Sequence, residues 1–183
     1  MTAALDSLRS LLVDEGGLLA TLLDADAVAN GAEVQPSTSA EGPAQIAAAG
    51  PRAHGSPAQY ELLVEAIYEG YLLHYGAPRV VIAADADLCV LAGDRLYALG
   101  LARLVELGDT FAVAELADTI TLSALAQGAD DPRLAEAIWA AGARTVGWGS
   151  SAQHDRAKEL VAAGAPEAIE AMRTSALSAA ASP

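Results

Sequence analysis

Three histidines, one cysteine and a single lysine are the side chains best suited to metal, nucleophilic or acid–base chemistry in this 183-residue chain. Their spacing decides whether they can act together. His54, His74 and His154 fall in a loop, at a helix end and on a polar helix, without the i, i+4 pairing of a zinc-binding helix. No metal cluster is expected from them. Cys89 lies inside the most apolar run, where a lone thiol behaves as a small buried hydrophobe and has no internal disulfide partner. The chain carries no Gly-x-Ser-x-Gly elbow and no Gly-x-x-x-x-Gly-Lys loop, and Lys158 alone cannot build a lysine-based phosphate grip.

The carboxylates are more numerous. Glu61, Glu65 and Glu69 stack at intervals of four on one helix face, a spacing that either presents oxygens to a metal or forms a solvated acidic stripe. The stripe is the expected arrangement. Asp85 and Asp87 are two apart, which on a helix of ~3.6-residue period turns them about 200° from one another. They cannot share one ion and read as helix-entry or solvated acids. Asp130 and Asp131 precede Pro132, the pattern of a cap with charge complementary to the helix dipole.

The elements that would carry these residues are helical. Leu5, Leu8, Leu12, Leu19 and Leu22-Leu23 recur at roughly helical spacing, with Gly16-Gly17 weakening the middle. Residues 1–29 therefore read as an N-terminal helix or helical hairpin. Residues 30–57 change to Gly, Ser, Pro and Ala and read as a linker or surface loop, with a short turn at 43–49. Residues 58–183 form the bundle domain. Ser56-Pro57 opens a helix with Tyr60, Leu63, Val64, Ile67 and Tyr71 on one face, closed by Gly76 and Pro78.

The stretch from Val80 to Gln127 is the most apolar, turning only at Leu107-Gly108-Asp109. Its first helix lacks a broad polar face and is expected to be covered on most sides as the centre of the bundle. Ala86, Gly93 and Gly100 recur every seven residues and leave a groove in which a neighbouring helix, from this chain or a partner, approaches closely. Asp94, beside Gly93, needs a partner, because an unpaired buried carboxylate is costly. That partner decides whether the stretch is core or interface. In the next helix Val113, Leu116, Ile120 and Ala124 point inward while Glu115, Asp118 and Thr121 face elsewhere. Shorter helices follow from Pro132 to Ala143, from Ser150 or Ser151 to Gly164, and from Pro166 onward.

Composition sets the class. Apolar residues make up 53% of the chain and aromatics 4%, so the interior is built from Ala, Leu, Val and Ile, and an all-α bundle of six to eight helices is expected. The formal charge is −14, with 24 acidic and 10 basic residues, and each third of the chain has an acidic excess. Binding along nucleic acid or an anionic membrane needs the opposite sign. Neither a secretory leader nor an uninterrupted membrane span is recognisable, and a cytoplasmic location is expected.

Leu91-Ala92-Gly93-Asp94-Arg95-Leu96 followed by Gly108-Asp109 resembles the middle of the all-helical polyprenyl diphosphate synthases, over about residues 60–128. The resemblance implies an isoprenoid-synthase-like core. It places the family's first aspartate-rich motif near Leu72-Leu73-His74-Tyr75-Gly76, which has no aspartate, and Asp130-Asp131 lacks the third carboxylate one turn later. The implied relative is therefore a non-catalytic accessory component. No catalytic, cofactor-binding or metal residue is assigned, and Mg²⁺ enters only with prenyl transferase chemistry. Ala86, Gly93, Asp94 and Gly100 are the candidate interface or seam. The expected partner is a protein, as a hetero- or homo-oligomer, with an isoprenoid chain as a possible ligand. A structural subunit of a larger complex without prenyl chemistry is the alternative.

Overall fold

The computed structural model describes residues 3–23, 41–83 and 85–178, which hold nine α-helices and no strand. The chain is all-α, as its composition dictates. The helices are α1 (Ala3–Glu15), α2 (Gly17–Thr21), α3 (Pro43–Ala49), α4 (Pro57–Tyr75), α5 (Ala86–Glu106), α6 (Thr110–Gly128), α7 (Pro132–Trp148), α8 (Ala152–Ala162) and α9 (Ala168–Leu177). Gly16 and Gly17 both take φ of 66°, a region that costs an L side chain energy, and the chain breaks there into α1 and α2.

The helix starts follow local chemistry. Asp85, Asp109, Asp131 and Ser151 each accept a backbone N–H three residues on, from Leu88, Ala112, Leu134 and His154. Each bond satisfies one of the unpaired donors of a first turn. Asp131 is thus a cap, and Pro132 follows it in the first turn, where its missing N–H costs nothing.

Two hydrophobic cores share the helices α4 and α5, the latter giving Leu104 to the larger core. The larger surrounds Trp139 and draws Tyr60, Val64 and Ile67 from α4, Leu116 from α6, Ile138 and Val146 from α7, and Met172 from α9. The smaller joins Leu8 and Leu12 of α1, Leu19 of α2, Ala66 and Leu73 of α4, and Leu96 and Leu99 of α5. Helix α4 contributes to both and packs on α1, α3 and α5.

This arrangement corrects three expectations. Helix α5 is not the enclosed centre of the bundle: it buries Ala92, Leu96, Leu99 and Leu104 on one side and leaves Val90, Leu91 and Val105 about half exposed. Apolar composition made α5 look central, but α4, between α1, α3 and α5, and α7, between α3, α6 and α9, are the helices packed by several neighbours. Of the segment expected as a linker, residues 43–49 form α3, whose Ala44 and Ala47 are fully buried, and a Cβ on Gly50 would lie 2.2 Å from the Gly147 carbonyl. Residues 30–40 lie outside the described residues. Lastly, α7 continues past Ala143 to Trp148, since Thr145 and Val146 are buried and Gly149, at φ 92°, ends it.

Candidate functional site

The residue types of a catalytic centre do converge at one place, between α6, α8 and α9. His154 Nε2 lies 2.6 Å from Glu115 Oε1, and its Nδ1 lies 2.8 Å from Ser175 Oγ. An ionised Glu115 can only accept, which puts a proton on Nε2; with the other ring nitrogen unprotonated, Nδ1 accepts the Ser175 hydroxyl. Lys158 then donates to Glu115 Oε2 at 2.9 Å and to Asp118 at 2.8 Å. Burial pushes the Lys158 ammonium down, but the hydrogen bonds to Asp118 and Glu115 outweigh it and hold the pKa above the ordinary lysine value.

This is the order of a serine–histidine–acid relay, closed to substrate. Ser175, His154 and Glu115 are all at most 5% exposed, so no acyl carbon can approach the hydroxyl. The cluster ties three helices together. Glu115 was expected to face away from the core and instead is 3% exposed; the buried side of α6 sets Leu116 and Leu122 among small and polar residues, Ala112, Thr119, Ser123 and Ala126, which leave room for a carboxylate there.

A second buried acid pair fixes the connection from α4 to α5. Glu69, fully buried, accepts the backbone N–H groups of Arg79 and Val80 at 2.6 and 2.7 Å and the Arg79 Nε at 3.2 Å. Glu65 pairs with the same guanidinium. Burial raises the Glu65 carboxyl pKa, with Arg79 only partly offsetting it. The expected solvated stripe is thereby corrected: Glu65 and Glu69 are buried because a turn supplies donors to them, a partner that period alone does not reveal. Arg79 also lies over the Tyr68 ring, 5.2 Å from its centroid.

The third polar node joins α3's exit to α6. Asp109 Oδ2 accepts the Tyr60 hydroxyl at 2.5 Å, and its oxygens lie 2.7 and 2.8 Å from Arg52 Nη2. Burial pushes the Asp109 carboxyl up, but the bonds from Tyr60, Arg52 and the Ala112 N–H prevail and hold its pKa below the ordinary aspartate value. Burial, then Asp109 itself, pushes the Tyr60 hydroxyl up to about 12.

The glycine seam lies between α4 and α5 of the same chain. A Cβ on Gly93 would lie 2.6 Å from His74 Cδ2 and 3.0 Å from the Gly70 carbonyl oxygen, and one on Gly100 would lie 2.4 Å from Ile67 Cγ1. Ala86 is exposed at the first turn of α5 and takes no part. Asp94 points outward, its side chain 66% exposed, with Oδ1 3.3 Å from His74 Nε2; His74 in turn stacks on Tyr97 with 5.3 Å between centroids.

On its solvent side α5 carries an apolar row between charged residues. Leu91 and Val105 are 55% and 54% exposed and Ala98 between them is also exposed. Along the flank toward α1 and α2 lie two hollows. One of about 220 Å³ is lined by Leu18, Leu91, Arg95 and Leu99, and the other, of about 290 Å³, by Leu11, Leu62, Leu63, Arg103 and Leu107. Arg103 and Arg95 both reach Glu15 between them.

Among the described residues no group of three or more His, Cys, Asp and Glu side chains is arranged to hold a metal ion. Asp130 sits at φ 57° and Asp131 is engaged as a cap. Among the same residues no helix is long and apolar enough to cross a membrane. No protein-family model matches the chain, and no curated protein or solved structure matches it.

Proposed function

We propose that the chain is a non-catalytic helical subunit that binds a larger protein partner. One contrast carries this reading: the clustered Glu, His, Lys and Ser side chains are spent on internal ties, while Leu91 and Val105 stand exposed on the same face of α5. Exposed apolar side chains grouped on one face mark interaction surfaces more reliably than scattered ones do. Leu91–Leu96, the residues that resemble a polyprenyl diphosphate synthase, lie on this helix. They suggest a long-chain prenyl synthase as the partner, with this chain supporting elongation. The partner then supplies the metal and diphosphate chemistry, and the apolar hollow by Leu62, Leu63 and Leu107 is where this chain would line the path of an isoprenoid.

The test is affinity isolation of the full chain from its own cells, followed by a prenyl transfer assay. Recovery of a catalytic subunit with two aspartate-rich motifs, whose product length or rate changes when the chain is added back, supports the reading. Recovery with subunits of an unrelated assembly replaces the prenyl partner by a structural one. Product formed from isopentenyl diphosphate and an allylic primer by the chain alone refutes a non-catalytic role.

A further inference from the structure

Helix α5 has two faces of different kinds. The inner face closes on α4 through Gly93 and Gly100, so its outer face is fixed in orientation by contacts that leave little room for rotation. On that outer face Leu91, Ala98 and Val105 recur at intervals of seven, with Ala102 between the last two, and all four are exposed. A seven-residue apolar repeat on a solvent-facing helix is the pattern that seats a second helix knobs-into-holes, and the alanines at its middle permit close approach of the two axes. Leu91 to Val105 spans about 21 Å at 1.5 Å per residue, enough for two heptads of contact.

The surroundings of the repeat define what fits. Asp87, Asp94 and Glu106 are exposed along it. Of the two basic residues beside it, Arg103 is already engaged by Glu15 and Glu106, and Arg95 reaches Glu15 at 4.0 Å. The border is acidic. A second copy of this chain, with 24 acidic and 10 basic residues, would bring like charge to like, whereas lysines and arginines flanking an incoming apolar seam would be steered to it.

We propose that the outer face of α5 is a docking surface for one amphipathic helix of a partner protein, with a heptad-spaced Leu/Val/Ile seam flanked by Lys and Arg. Side chains of that helix extend into the hollow lined by Leu18, Leu91 and Leu99. The proposal rests on the reading of the chain as a partner-binding subunit and specifies the surface and the chemistry of the partner.

Photo-crosslinking tests it in the cells that make the protein. A photoreactive phenylalanine analogue is placed in the full chain at Ala98 or Ala102 on the α5 face and, separately, at Arg156 on α8, which is exposed and remote in the chain from α5. The expected result is one recurrent adduct from Ala98 and Ala102 but not Arg156. Its peptide carries heptad-spaced apolar residues flanked by Lys and Arg. Leu91→Asp and Val105→Asp should each lower its yield about tenfold or more, the loss typical of a central interface side chain, with the thermal midpoint unchanged. Adducts to residues 24–40 of the same chain, to a second copy, or to a partner segment without a basic-flanked heptad overturn the proposal. An adduct to a partner from Arg156 alone overturns it while leaving the subunit reading intact. Absence of any partner adduct from all three positions removes both.

Discussion

Glu69 Oε1 lies 2.7 Å from the backbone nitrogen of Val80, eleven residues further along the chain, and also receives the Arg79 N–H. A single buried oxygen thus holds the turn that delivers α5. Replacing Glu69 by Ala strands two backbone donors and leaves Arg79 short of an anion, so a loss of about 3–5 kcal/mol is expected. Glu69→Gln keeps an acceptor and should cost less. Urea unfolding of both variants measures this, and a Glu69→Ala protein within about 1 kcal/mol of wild type would show that the turn is held by something else.

Glu65 predicts an acid-side signature. Its folded-state pKa is raised by burial, so the folded protein binds its proton more tightly than the unfolded chain does. The resulting stabilisation is fully present below the ordinary glutamate pKa and is lost as pH rises through the folded value. The stability difference between wild type and Glu65→Gln should therefore shift toward wild type as pH falls toward the ordinary glutamate range. A difference that is flat with pH refutes this.

Tyr60 and Asp109 carry dependences opposite to one another. Asp109 has a lowered folded-state pKa, so its contribution is present above the ordinary aspartate value and is lost as pH falls through the folded one. Tyr60, pushed up to about 12, contributes below its ordinary pKa of 10.0 and loses that contribution as pH rises through about 12. Tyr60→Phe removes a hydrogen bond to a charged acceptor and should cost about 1.5–3 kcal/mol near neutral pH. Carboxyl NMR of this variant should show the Asp109 pKa moved upward; an unmoved titration would contradict the role given to the hydroxyl.

The Glu115–His154 pair is expected to behave as a structural tie. Glu115→Ala leaves His154 and Lys158 without their shared anion and should cost about 3–5 kcal/mol. Ser175→Ala, which removes one neutral hydrogen bond, should cost only about 1 kcal/mol. Lys158 has a raised pKa, so its contribution is present below the ordinary lysine value and is lost as pH rises through the folded value. Chemical denaturation across pH measures all three, and equal losses for the Glu115 and Ser175 variants would count against the assignment.

Gly100→Ala tests the seam. The new Cβ would be 2.4 Å from Ile67 Cγ1, so an overpacking loss of about 1–3 kcal/mol is expected despite the ~1 kcal/mol gain in helix propensity. Stability equal to or above wild type would mean that α4 and α5 can separate without cost.

The helices were legible in the sequence where local chemistry marks them. Ser56-Pro57, Asp109 and Asp131-Pro132 announce helix starts, and Gly16-Gly17 announces a break, because caps and glycine act within a few residues. What period and propensity could not reveal was which apolar helix has neighbours on opposite sides. Leu91 and Leu96 are the same residue type five apart, yet one is exposed and the other fully buried. The polar nodes were hidden for a different reason: Glu115 and His154 meet across 39 residues, and Glu69 looks like a surface acid until the turn at Arg79–Val81 folds over it. The glycines at 93 and 100 signalled a close approach, but the sequence left open whether the approaching helix belonged to this chain.

Helix α4, together with α5, lines both hydrophobic cores. Melting either core strips one face of α4, and Glu65 and Glu69 would then lose the dry surroundings in which their bonds to Arg79 are strongest. The two cores should therefore fail together in one cooperative transition. Amide hydrogens in the middle of α4 should exchange only through global unfolding, while those of the short, one-sided α2 exchange through local opening.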